Sequence, residues 1–195
     1  PDAAENGIFI DHFLQAFARA ENERSTRLLD VLDIHWYPEA RGGGRRITQD
    51  DGDDVLAEAR MQAPRSLWDP EYVEDSWIAR DAIGGPIQLL PWLAGRIEAN
   101  RPGTKLSISE YYYGGGAHIS GAIAQADVLG IFGREGLWAA SLWHLGSTDD
   151  AFIHAAFDLY LNYDGNGARF GDQGIAVTVS DTETFSAYAA KRTGI

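Results

Sequence analysis

The sequence predicts an α/β fold built on a parallel sheet. A helix comes first, then strand and helix alternate three times, and such alternation pairs strands in parallel with the helices as crossovers. Of the 195 residues, 45% are hydrophobic and 11% aromatic, which is enough to fill a core. Beyond Asp164 the pattern changes to short alternating segments separated by Gly and Asp, which predict strands of a different, β-type structure. Three strand–helix units cannot close an eight-stranded barrel, which takes roughly 250 residues.

Residues 8–23 place Phe9, Phe13, Leu14, Phe17 and Ala20 at helical spacing. Residues 28–37 form a strand pattern with Leu29, Val31, Leu32, Ile34, Trp36 and Tyr37, closed by Pro38. A Gly-rich and then acidic loop covers 41–54. Helices are expected over 54–61 and 72–82, the second capped by Asp69 with Pro70 at its first position. After Gly84-Gly85-Pro86 a helix covers 87–100, and a strand follows over 105–110. A helix over 119–133 takes Ser120 as its cap; a third strand covers 137–143 and a helix 150–162. Strands over 175–179 and 184–189 complete the series.

Sixteen Lys and Arg against twenty-nine Asp and Glu give a formal charge of -13. That balance excludes nucleic acid and anionic membrane as partners, since both need a basic face. A neutral polysaccharide is indifferent to it. Without cysteine, neither a disulfide scaffold nor a zinc–thiolate site can form. No run approaches the ~18 apolar residues of a membrane span. Residue 1 is Pro and Met61 is the only methionine, so the chain is expected to start downstream of its initiator, with any export signal already gone.

Chemistry concentrates in Lys105-Leu-Ser-Ile-Ser-Glu-Tyr-Tyr-Tyr-Gly-Gly-Gly116. By period-2 alternation Leu106, Ile108 and Glu110 share a face, so an apolar face ends in an acid. A carboxylate at the end of a buried strand is costly for stability alone, and the carboxyl ends of parallel barrel strands are where catalytic groups sit. The plain alternative is a surface glutamate just past a strand. The flanking Tyr111, Tyr112 and Tyr113 favour a carboxylate in an aromatic-lined sugar cleft. Hydrolysis of a glycosidic bond with retention needs two carboxyls ~5–5.5 Å apart, a nucleophile and an acid/base. Glu110 can supply one; Asp33, Glu39 and Asp149 are loosely placed for the other, and none fits well.

Asp33-Ile-His-Trp-Tyr-Pro38 is a second constellation. Asp33, His35 and Tyr37 share one strand face, and acid, imidazole and phenol at a strand end can orient a nucleophile and read sugar hydroxyls. A hydrogen-bonded core His–Tyr pair is the competing explanation. Trp36 joins the sugar-binding candidates from the other face. Of six tryptophans, Trp68 and Trp143 are the better cleft candidates, Trp92 and Trp138 are assigned to packing, and Trp77 is undecided; indoles stack on sugar faces but also fill cores. The five histidines lack metal-ligand spacing. Gly42-Gly43-Gly44 and Gly114-Gly115-Gly116 match no phosphate loop. Asp164-Gly-Asn166-Gly imitates the start of a calcium loop, but Ala168, Arg169 and Ile175 break its pattern, so a turn is expected and another calcium geometry is left open.

Longer matches then stand out. Leu28-Leu-Asp-Val-Leu-Asp-Ile-His-Trp-Tyr-Pro-Glu39, Gln62-Ala-Pro-Arg-Ser-Leu-Trp-Asp-Pro70 with Tyr72-Val-Glu-Asp-Ser-Trp-Ile78, and Ile119-Ser-Gly-Ala-Ile-Ala-Gln-Ala-Asp-Val-Leu-Gly-Ile-Phe-Gly-Arg-Glu135 resemble glycoside hydrolase family 44. Asn162-Tyr-Asp-Gly with Phe170-Gly-Asp172 extends the resemblance over nearly the whole chain. It implies a retaining endo-β-1,4-glucanase, often active on xyloglucan or xylan too, with a (β/α)8 barrel joined to a β-sandwich.

On that basis residues 1–163 are expected to be the last three strand–helix units of the barrel, and 164–195 the first strands of the sandwich. The family's nucleophile, in a Thr-Glu-Tyr-Asn-Tyr-Gly segment, falls on Glu110, with Ser109 replacing the threonine and Tyr112 the asparagine. The tryptophan that faces the sugar falls on Trp143, followed here by His144. The acid/base segment of Asn-Glu-Pro type has no counterpart, so the partner carboxyl is expected from the remaining N-terminal part of the same enzyme.

His35 and Tyr37 would hold Glu110, with Trp68, Tyr112 and Trp143 lining the cleft. The expected substrate is a β-glucan polysaccharide or oligosaccharide and the expected location extracellular; no cofactor is required, and structural calcium stays open. A non-catalytic carbohydrate-binding module is the rival function. An α/β enzyme of a phosphate-bearing substrate is disfavoured by charge and by the missing phosphate loop.

Overall fold

The computed structural model describes residues 7–49, 53–144 and 149–193; residues 50–52 of the expected acidic loop lie outside this range. Helix α1 spans Phe9–Arg24 and ends where Ser25 turns left-handed. Its Leu14 packs with Leu32, Leu93 and Ile97. Strand β1 follows at Val31–Trp36. The expected loop after it contains a two-residue hairpin, β2 (Arg41–Gly42) and β3 (Arg45–Arg46). Gly43 and Gly44 both have positive φ, which is what a tight hairpin turn requires and what pattern-reading for longer strands overlooks.

Helix α2 (Asp54–Gln62) is capped by Asp53, whose carboxylate accepts the Leu56 N–H at 3.1 Å. It runs into a 3-10 turn at Ala63–Leu67. The helix expected over 72–82 is reduced to a π-helical stretch, Ile78–Ile83. The cap proposed for it is otherwise engaged: Asp69 accepts from Arg65 Nε at 2.8 Å and from the Glu71 N–H at 2.9 Å, making a local turn.

Helix α3 (Leu89–Asn100), strand β4 (Lys105–Tyr111), helix α4 (Ile119–Arg134), strand β5 (Ala139–Leu142) and helix α5 (Ala151–Leu161) follow the expected order. The cap of α4 is His118 rather than Ser120; its Nδ1 accepts the Ser120 N–H at 3.2 Å. The sheet order is β1-β4-β5, with both pairs parallel. Leu32, Trp36, Ile108 and Tyr111 from the strands pack with Leu90 and Leu93 of α3 and with Val128, Ile131 and Phe132 of α4. Asp33 and His35 point the other way and are exposed. One face is therefore core, and the opposite face is polar.

The tail pairs β6 (Gln173–Ile175) with β7 (Ala189–Lys191) antiparallel, a separate sheet with shorter, shifted strands. The expected strands over 175–179 and 184–189 are mostly irregular, and Tyr188 turns inward onto α4. Its hydroxyl donates to Asp127 of α4 at 2.7 Å. Gly130 leaves its ring room, since a Cβ there would lie 2.2 Å from Tyr188. No helix among the described residues is long and apolar enough to cross a membrane.

Candidate active site

β1 and β4 run in step through Asp33↔Ser107 and Ile34↔Ile108, and then β4 gains a residue: His35 stands opposite Glu110 and Trp36 opposite Tyr111. Ser109 is the extra residue of a β-bulge. The bulge corrects the simple alternation. Glu110 leaves the face of Leu106 and Ile108 and joins that of His35 and Tyr37, while Tyr111 turns into the core against Phe132.

Glu110 is thereby held by one oxygen. Tyr37 donates its hydroxyl to Oε2 at 2.9 Å, and His35 Nδ1 lies 3.2 Å from the same atom. Oε1 takes no hydrogen bond from the described residues. Partial burial, and then the hydrogen bond and charge of Glu110, push the Tyr37 phenol up to about 12, so it keeps its proton and donates throughout the neutral range. The Glu110 side chain is 28% exposed and that of His35 54%, so both face open space. Trp143, 56% exposed, sits one residue past β5, its N–H donating to the Tyr111 carbonyl at 3.1 Å. It stands at the same sheet end as Glu110.

Three other sugar-binding candidates lie elsewhere. Trp36 is buried in the helix-side core, donating Nε1 to Tyr113 Oη at 3.1 Å. Tyr112 is buried beside Asp150, with its hydroxyl 3.4 Å from Oδ1. Trp68 lies under the Arg134 guanidinium, 4.1 Å from its ring centroid. Arg134 ends α4, which returns antiparallel to β4, so Trp68 belongs to the opposite end of the strands. The tyrosine run is thus core rather than cleft. The bulge directs Tyr111 inward, where Gln125 donates to its hydroxyl at 2.8 Å, and the chain turns at Gly114, whose φ is 78° and whose Cβ would lie 2.3 Å from the Ile47 carbonyl oxygen. Trp92 and Trp138, assigned to packing, are instead exposed beneath Arg96 and Lys105, and Trp77 is exposed as well.

Of the loosely placed carboxylates, Asp33 is taken up by Ser107 and Ser109, Glu39 pairs with Arg46 at 2.8 Å, and Asp149 accepts the Ala151 N–H. Sequence reasoning missed a contact between His144 Nδ1 and Asp150 Oδ2 beside Tyr112; no local pattern marks it. Asp164 Oδ1 accepts the Asn166 and Ala168 N–H groups, the turn expected there. That carboxylate is engaged with backbone, and no group of three or more His, Asp and Glu among the described residues could hold a metal.

A family model, glycoside hydrolase family 44, matches residues 1–40. Endoglucanase A of Paenibacillus lautus is 49% identical over 183 residues, covering 93% of this chain. The family 44 endoglucanase structure from Clostridium acetobutylium superposes on 99% of the chain with a TM-score of 0.93 and 46% identity. Over nearly its whole length this chain is similar in sequence and fold to glycoside hydrolase family 44. A second family 44 structure, the Paenibacillus polymyxa xyloglucanase with xyloglucan, matches 97% of the chain with a TM-score of 0.90 and 44% identity. The chain spans 26% of the P. lautus protein, 38% of the C. acetobutylium chain and 37% of the P. polymyxa chain. The fold of this segment thus resembles that of the corresponding stretch of these family 44 relatives.

Proposed function

We propose that this chain supplies the nucleophile of a retaining endo-acting β-1,4-glycan hydrolase. The observation that carries the proposal is the one-sided grip on Glu110: Tyr37 and His35 address Oε2, and Oε1 takes no hydrogen bond among the described residues. Oε1 attacks the anomeric carbon as the leaving sugar departs, giving a covalent glycosyl-enzyme that water hydrolyses. Trp143 offers its exposed indole to a pyranose face. The acid/base carboxyl, required ~5–5.5 Å away in a retaining enzyme, comes from another part of the longer polypeptide. The share of its relatives that the chain spans supports this. A β-glucan is the substrate class, with xyloglucan favoured by the xyloglucanase relative; a polymer of that size places the enzyme outside the cell.

In the same proposal residues 1–163 form the last strand–helix units of a barrel and 164–195 begin a sandwich. The parallel order β1-β4-β5, with the outer edges of β1 and β5 unpaired among the described residues, supports the first half; the separate β6-β7 pair supports the second.

The test is mechanism-based labelling of the full polypeptide with a 2-fluoro β-cellobioside, followed by peptide mapping. Glu110 is expected to carry the label, and a label on any other residue overturns the assignment. Glu110→Gln should retain sugar binding and lose turnover, whereas a pure binding module has no turnover to lose.

A further inference from the structure

Ser109 has no partner in the β1 ladder. A bulged residue leaves backbone groups that must be satisfied in another way. Asp33 satisfies one of them. Its carboxylate accepts the Ser109 backbone N–H and the Ser109 hydroxyl, while the Ser107 hydroxyl binds the other oxygen. Partial burial works to raise this carboxyl, but the three donors and nearby His35 outweigh it and hold the group below the usual aspartate range. Asp33 is therefore an ionised acceptor at neutral pH. It does not touch Glu110.

We propose that Asp33 is a positioning residue: by holding Ser109 out of the β1 ladder, it fixes the bulge that turns Glu110 toward His35 and Tyr37. Shifting a strand by one residue sends every later side chain to the other face. In an unbulged ladder Ser109 would take the place opposite His35, and Glu110 would point into the apolar face with Ile108. A carboxylate resists that burial, so a β4 end without its clamp samples several arrangements, and the two bonds to Oε2 are lost in most of them. The hydroxyl of Ser109 has a role in this clamp that alanine cannot fill and threonine can.

The proposal rests on Glu110 being the nucleophile, and the experiment separates the two. In the full polypeptide carrying this segment, the rate of covalent labelling by the 2-fluoro β-cellobioside is measured per active site, with the labelled residue mapped in the wild type. Ser109→Ala should label about tenfold or more slowly, with apparent inactivator affinity within about threefold of wild type. Ser109→Thr should recover to within about threefold of the wild-type rate. A merely structural role would lower the unfolding temperature and leave the labelling rate of the folded fraction unchanged; that result, or threonine as slow as alanine, overturns the clamp. Hydrogen exchange at the Ser109 amide reads the clamp without catalysis, and Asp33→Asn should speed it about tenfold or more. Unchanged exchange refutes the clamp even where the label maps to Glu110, and accelerated exchange supports it even where the label maps elsewhere.

Discussion

Tyr37 and His35 converge on the same oxygen of Glu110, and that asymmetry sets what each contributes. A hydrogen bond to a charged group contributes about 1.5–3 kcal/mol. With Glu110 in its proposed role, Tyr37→Phe should therefore lower kcat by ~10–100-fold, with KM within about threefold, because the bond would orient the attacking carboxylate rather than the substrate. Steady-state kinetics on a soluble β-glucan decide it; a raised KM with unchanged kcat would place Tyr37 on the sugar instead. The phenol was legible as part of the Asp33, His35, Tyr37 face, since that alternation holds along β1. Trp36, on the opposite face of the same strand, is core for the same reason.

At the scale of elements, the hairpin, α2 and the start of α4 are tied through Arg60. It is fully buried, donating Nε to the Ile47 carbonyl at 3.0 Å, Nη1 to Ser120 Oγ at 2.6 Å and Nη2 to the Gln49 carbonyl. Arg60→Met keeps most of the stem but strands those acceptors at a cost of about 1–3 kcal/mol each. Urea unfolding should show a loss of roughly 3–5 kcal/mol at an unchanged m-value; a loss below about 1 kcal/mol would mean that water replaces the guanidinium. Nothing in the local pattern of 54–61 marks Arg60 as buried, because its acceptors come from residues 47, 49 and 120. The 72–82 segment failed as a full helix for a related reason. Asp69 reads as a cap by position, yet Arg65 one turn earlier and the Glu71 N–H claim its oxygens.

At the scale of the whole molecule, Glu21 joins α1 to the entries of β1 and β4. It accepts from Arg101 Nε at 2.9 Å and from the Leu28 and Leu29 N–H groups. The Arg101 hydrogen bond first, and the Leu28 N–H next, lower its carboxyl from 4.5 to about 2. A folded pKa below the unfolded one contributes stability that is complete above about 4.5 and is lost as pH falls toward about 2. Thermal unfolding followed across that window should fall less steeply for Glu21→Gln than for wild type; parallel curves would remove Glu21 from the acid response. The alternation of the main strands and helices, the parallel pairing it implies and the polar face of β1 are all written in local periodicity. Tertiary structure alone decided which way Glu110 points and which aromatics are cleft or core. A single extra residue in β4, stabilised by a carboxylate seventy-six positions away, reverses the faces beyond it, and no period read along one strand records the register of its neighbour.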